Sequence, residues 1–475
     1  MDNSWPLSLS YKNEVARLAG DSVTDIDEMD MSFLVTIPTW RKTANWVNTM
    51  VSGTLIDNIR ISPRDTIGAS TINTNSVESF SPMNFLSVMF EKWRGSFVVK
   101  MKFVKTEFHT GRILVVYSPT EPNTEAIVTP TLPETSYIHR EIIDIRECNE
   151  VTLTIPFVSM MPWRQTTTST NGATGNLSIF VLDKLVYPDT VPNNVQILIE
   201  TCGGPDMEFA VPKPFHYMPF MGPVPQSSFP TLPNNCSIAD KTIGTSRIAG
   251  DGDINALYCI GEKISNLRTL LKKPNFIANL TAPTANIFTN VIPFLATVAT
   301  RNGITNEVPT GSGDLYSVLS AMYVYSRGGV RLKFIPTTNV ACPLMMASIV
   351  ESVSAFDTLV NYSATDHSGN TEYNAFNRNL PATVNLSTEV TEIQVPQYHY
   401  WPRRSNSEHF ASGATFNYSS YYDSAARLGT PLNVTYTSMD RTAVSLPRVY
   451  RAGAEDTNFS YFTCIPPLVT TVRNA

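Results

Sequence analysis

Between Pro205 and Pro233 the chain carries eight of its 33 prolines, among them Pro212-Lys213-Pro214, Pro223-Val224-Pro225 and Pro230-Thr231-Leu232-Pro233. Proline has no N–H to give to a ladder and clashes inside a helix, so a run this dense reads as extended connecting chain. It divides the 475 residues near position 225. Each half is long enough to bury a core of its own.

Both halves read as β-rich. Phe97, Val99, Met101 and Phe103 alternate with Val98, Lys100, Lys102 and Val104, the period-two pattern of a strand with one dry and one wetter face. Strand-like runs follow at Arg112–Tyr117, His139–Ile145, Val151–Phe157, Asn176–Leu182 and Val195–Thr201, and in the second half at Val330–Ile335, Leu344–Val350, Ala382–Val395, Leu432–Thr437 and Phe459–Ile465. Many short strands separated by turns predict a sandwich or barrel in each half. Helices are few. Ser81-Pro82 opens one in which Phe85, Met89 and Trp93 share a face; Leu315, Leu319 and Tyr323 repeat that spacing, and Ile264–Leu271 forms a third.

Two signatures recur in order. The first is a short amphipathic helix running into Arg94-Gly95, or Arg327-Gly328, and then a strand. The second is a strand ending in two prolines six residues apart and then an arginine: Pro156, Pro162 and Arg164, matched by Pro396, Pro402 and Arg403-Arg404. The first prolines lie 62 and 69 residues beyond the arginines of the Arg-Gly pairs. The expectation is a duplicated β-sandwich in which glycine relieves crowding and proline stops strand growth.

Composition narrows the function. Charged residues are 16% of the chain, well below the usual share, leaving much uncharged surface for neighbours. A net charge of -6 and an acidic first thirty residues argue against a general polyanion binder. Cys148, Cys202, Cys236, Cys259, Cys342 and Cys464 include no C-x-x-C pair, which fits a reducing compartment better than a zinc site or disulfide framework. No apolar run is long enough to span a membrane. The six histidines form no metal or protease spacing, and no nucleophile elbow or phosphate loop occurs. Asp251, Asp253, Asn255 and Glu262 fall at positions 1, 3, 5 and 12 of a calcium loop, but Ala256 stands where the sharp turn needs glycine, so chance acidic spacing is favoured. No cofactor is called for. Tyr398, Tyr400 and Trp401 beside Arg403 and Arg404 are read as burial at a sandwich end.

The stretch from Trp93-Arg94-Gly95 to His109-Thr110-Gly111-Arg112 resembles the central strands of picorna-like (Picornavirales) capsid proteins. The acidic run Asp25–Asp30 leading into Met31–Pro38 resembles the start of that domain in dicistroviruses and iflaviruses. Gly261–Lys272, Tyr325–Arg331, Arg451–Ser460 and Ile465–Leu468 resemble the following coat domain. The resemblance implies an all-β chain of two antiparallel eight-stranded jelly rolls with short helices: an arm at 1–40, domains at 41–215 and 251–475, and a Pro-rich linker at 216–250. It further implies a structural, non-enzymatic protein of the virion. Such a protein assembles in the host cytoplasm, with further coat subunits, into a pseudo-T=3 icosahedral shell around positive-strand RNA that it contacts weakly; the host receptor is not identified.

Two site readings come with the resemblance. Polyproteins of this type are cut by a protease favouring Gln before a small residue, and Gln226-Ser227 lies in the linker, where an extended strand is accessible. The chain is then a precursor of two coat proteins; uncut, it is a fused two-domain subunit. Relatives also carry an Asp-Asp-Phe motif linked to maturation cleavage. Here the stretch reads Glu455-Asp456-Thr457-Asn458-Phe459, an altered spacing, and solvated turn carboxylates are the favoured reading. Outside the viral class, a tandem lectin- or adhesin-like binding module and a β-sandwich hydrolase acting through Glu455 and Asp456 are the rivals.

Overall fold

The computed structural model describes residues 26–64, 68–72, 75–119, 129–167, 172–215, 217–219, 238–242, 259–260, 264–281, 286–291, 314–335, 344–349, 362–363, 381–385, 390–397, 403–406, 432–437, 445–466 and 468–470.

Eight strands build the first half: β1 (Thr39–Val47), β2 (Leu55–Ile61), β3 (Phe97–Val104), β4 (Thr110–Pro119), β5 (Arg140–Asp144), β6 (Glu150–Ile155), β7 (Gly175–Val186) and β8 (Asn194–Gly203). They pair antiparallel as two sheets, β1-β8-β3-β6 and β2-β7-β4-β5. In that order neighbours in space are far apart in sequence, which is the jelly-roll topology. The second half repeats it with β9 (Asn275–Thr281), β10 (Asn286–Val291), β11 (Val330–Ile335), β12 (Leu344–Ile349), β13 (Pro381–Asn385), β14 (Thr391–Val395), β15 (Leu432–Thr437) and β16 (Ser445–Gly453). Its sheets are β9-β16-β11-β14 and β10-β15-β12-β13, the same order shifted by eight, with Tyr362–Ser363 added at the β10 edge.

The strand patterns follow burial. Phe97, Val99, Met101 and Phe103 are buried while their alternates are half-buried or exposed. Six consecutive residues of β4 are buried because its outer face is covered too: Leu114, Val116 and Phe180 pack against Leu132 and Ile138. The main apolar core runs through both halves, from Leu34 and Phe85 to Leu267, Tyr323 and Phe459.

The helices are shorter than the spacing suggested. Among the described residues they include α1 (Met31–Val35), α2 (Pro82–Met89), α3 (Leu267–Leu271) and α4 (Leu315–Ser320), with a 3-10 turn at Pro133–Tyr137. Asp30 caps α1 by accepting from Ser32 N, Ser81 caps α2 from Asn84 N, and Asn266 caps α3 from Arg268 N. Neither α2 nor α4 reaches its Arg-Gly. A strand intervenes in each case, Phe90–Arg94 and Tyr323–Arg327, so Trp93 and Tyr323 lie on strands.

Part of the proline run lies in strands. Pro212 ends the strand Glu208–Pro212 and Pro219 ends Tyr217–Pro219. Inside the expected linker, Ile238–Thr242 adds to the edge of β6 as a parallel strand. Inside the expected N-terminal arm lie α1 and the start of β1.

Candidate functional site

Each half ends its first sheet in the same turn. Gly95 and Gly328 take positive φ, +115° and +89°, and a Cβ on either would sit 2.4 Å from Met207 Cα or 2.1 Å from the Asp456 carbonyl oxygen. Only glycine fits both the conformation and the approach. Opposite Gly95, the Asp206 carboxylate accepts from Ser96 N at 3.1 Å, and the Ser96 hydroxyl donates to it as well. Opposite Gly328, Asp456 Oδ1 accepts from Gly329 N at 2.9 Å. The backbone repeats around them: Gly204 N donates to Ser96 O and Ala454 N to Gly329 O, at 2.8 and 3.1 Å, while Met207 N reaches Gly204 O and Thr457 N reaches Ala454 O, at 3.1 and 3.2 Å. Beyond the turns, Phe209 packs on Phe90 and Phe459 on Tyr323, with ring centroids 5.9 and 5.8 Å apart. Five residues past each aspartate, Val211 and Tyr461 share a positive φ of 61° and 62°. The arginines of the repeated proline signature match too: Arg164 pairs with Trp93 and Arg404 with Ser326, and both are buried, while Pro402 lies outside the described residues.

Glu455 and Asp456 are therefore engaged separately. Glu455 is half-exposed and accepts from Arg331 Nη2 at 2.5 Å, whereas Asp456 is buried in the turn. Glu455 stands where the first half has Pro205.

Behind the second turn lies a buried ion pair. Arg451 donates from Nε and Nη2 to Asp314 at 2.8 and 2.6 Å, and its guanidinium lies 4.5 Å from the Tyr316 ring centroid. Arg404 Nη2 donates to the Tyr316 hydroxyl at 2.9 Å. Burial pulls the Arg404 pKa below the usual guanidinium value, with the Tyr316 oxygen opposing that shift.

The halves meet along a seam made by the chain's beginning. Met31 N donates to Ser265 O and Leu267 N to Met29 O, at 2.8 and 3.1 Å. Asp27 Oδ1 accepts from Arg268 Nη2 at 2.9 Å and Oδ2 from Asn266 Nδ2 at 2.8 Å, while the same Arg268 nitrogen reaches Asn458 Oδ1 at 2.7 Å. Buried Glu28 accepts twice: its carbonyl from the Tyr323 hydroxyl and its carboxylate from Phe462 N, both at 2.8 Å. Burial, with Glu28 and Asp27 beside it, drives the Tyr323 pKa well above the usual phenol value. The chain's other end contributes as well. Leu468–Thr470 pairs antiparallel with both Asn75–Ser79 and Tyr217–Pro219.

Sequence reasoning singled out the acidic Asp25–Asp30 run but not its receiving residues Asn266, Arg268, Tyr323 and Phe462. Gln226, Ser227, Asp251, Asp253, Asn255, Glu262, Tyr398, Tyr400 and Trp401 lie outside the described residues. Among the described residues no group of His, Cys, Asp or Glu is placed to hold a metal, and no helix is long and apolar enough to cross a membrane.

Comparison with known proteins agrees with the duplication. A profile described as calicivirus coat protein matches residues 43–250, and one described as CRPV capsid protein like matches 254–473. The structural polyprotein of Cricket paralysis virus is 26% identical along 100% of this chain, which spans 59% of that polyprotein. The structural polyprotein of Acute bee paralysis virus is 26% identical over 57% of this chain and 35% of its own length. Among solved structures, black queen cell virus aligns with 45% of this chain and 85% of its own at 28% identity, with a TM-score of 0.38. With two coat-type matches in tandem over two jelly rolls, and likeness to a structural polyprotein along its whole length, the chain belongs to the capsid proteins of the picorna-like viruses, the order Picornavirales.

Proposed function

We propose that the chain supplies two of the three jelly rolls of a pseudo-T=3 shell around positive-strand RNA. The third comes from another protein or another part of the polyprotein. The observation that carries this reading is the pair of complete, tandem jelly rolls in a chain that spans 59% of its Cricket paralysis virus relative. Assembly takes place in the host cytoplasm. With a net charge of -6 the chain touches the genome weakly and leaves most charge neutralisation to other components.

In this reading Glu455 and Asp456 hold a turn and cleave nothing, because Asp206 does the same work beside a proline. Gln226-Ser227 is the point where the linker is opened to give two coat proteins. Co-expression with the co-encoded coat proteins, followed by electron microscopy, tests the shell: closed particles are expected, and monodisperse monomers under every assembly condition would overturn it. Mass spectrometry of the same material reads scission at Gln226-Ser227.

A further inference from the structure

If the linker is opened, something else must hold the halves together, and the seam shows what does. Residues 27–31 belong to the first half by sequence yet lodge on the second. In the other direction, Ile238–Thr242, beyond Gln226-Ser227, adds a five-residue parallel register to the edge of β6. Leu468–Thr470 sits between two first-half strands. The second piece thus leaves strands in the first half's sheets, and the first leaves its leading turn on the second half.

We propose that the segment Asp27–Met31 and its seat on the second half form the interaction surface that keeps the two halves one unit after scission, the partner being the second half of the same chain. Three features make this a recognition surface as well as a contact. The seat is complementary in charge, with Arg268 held between Asp27 and Asn458. It reads backbone through Ser265, Leu267 and Tyr323, and the Glu28 carboxylate through Phe462 N. It buries an anchor: Met29 is wholly buried and its sulfur receives Phe459 N at 3.2 Å. Asp27 and Arg268 are partly buried and joined by a hydrogen bond as well as by charge, so reversing either one sets like charges against each other in the seam.

This inference rests on the linker being a scission point, but its test does not. In the full chain, residues 224–229 are replaced by the recognition sequence of a site-specific protease, cut, and the products followed by sedimentation over a dilution series. The cut halves are expected to sediment as one species. Asp27→Arg or Arg268→Asp should raise the concentration at which they separate by about tenfold or more, and the double swap should restore it. Separation of the unmutated halves at the same concentration as the single variants, or a double swap that fails to restore association, would overturn the proposal. Mass spectrometry of the chain with its native linker reports independently whether Gln226-Ser227 is cut, so the two readings fail separately.

Discussion

Tyr117 is buried with its hydroxyl donating to Thr174 O at 3.1 Å, and burial pushes its pKa up from 10.0 to about 12. The unfolded chain loses this proton first, so between about pH 10 and 12 it binds fewer protons than the folded chain and stability falls as pH rises. The tyrosine's contribution is complete below pH 10 and shrinks by roughly 2–3 kcal/mol by pH 12. Tyr117→Phe should cost about 1 kcal/mol at pH 8 and become the more stable form near pH 12; urea unfolding at both pH values checks the crossing. Glycine gives a second test. Gly95→Ala forces a Cβ against Met207 at a positive φ, whereas Gly68→Ala meets nothing within 4 Å. The first should lose roughly 2–4 kcal/mol and the second change stability by less than about 0.5 kcal/mol, both read from denaturant midpoints.

At the scale of elements, Asp206 and Asp456 each close the junction between a short strand and a sheet. Asp206→Ala and Asp456→Ala should therefore lose similar stability, about 1–3 kcal/mol each for the unpaired N–H left behind, while coat-protein processing on gels stays unchanged. Legibility in the sequence followed periodicity. β3 and β11 announced themselves because one face of each is dry. Thr39–Val47 did not, since only Ala44 and Trp46 are buried there and the alternation is diluted. The helices read too long for a geometric reason. A spacing of four keeps residues on one face of a helix, but being even it also keeps them on one face of a strand, so the step from Met89 to Trp93 looks the same across the helix-to-strand change. The ranges read at β5, β6, β7 and β8 agree with the structure to within two residues at most ends, but for β7, which runs on to Val186.

Across the whole molecule, the duplication was legible and the seam was not. The repeat shows as short patterns within each half. The seam joins Asp27 to Asn266 and Arg268, 239 and 241 residues away, and Glu28 to Tyr323, 295 away, distances over which a single sequence carries no pairing signal. The added strand Ile238–Thr242 also protects an edge. Removing residues 238–242 bares the open side of β6, and concentration-dependent association of the truncated chain by light scattering is the expected result. The matched turns have a last consequence: the molecule carries its own control experiment. Where the two copies agree, the turn sets the residue: glycine at 95 and 328 by geometry, aspartate at 206 and 456 by the N–H it accepts from; wherever they part, as Pro205 from Glu455 or Ser96 from Gly329, one half has already tried the other's mutation and kept the fold.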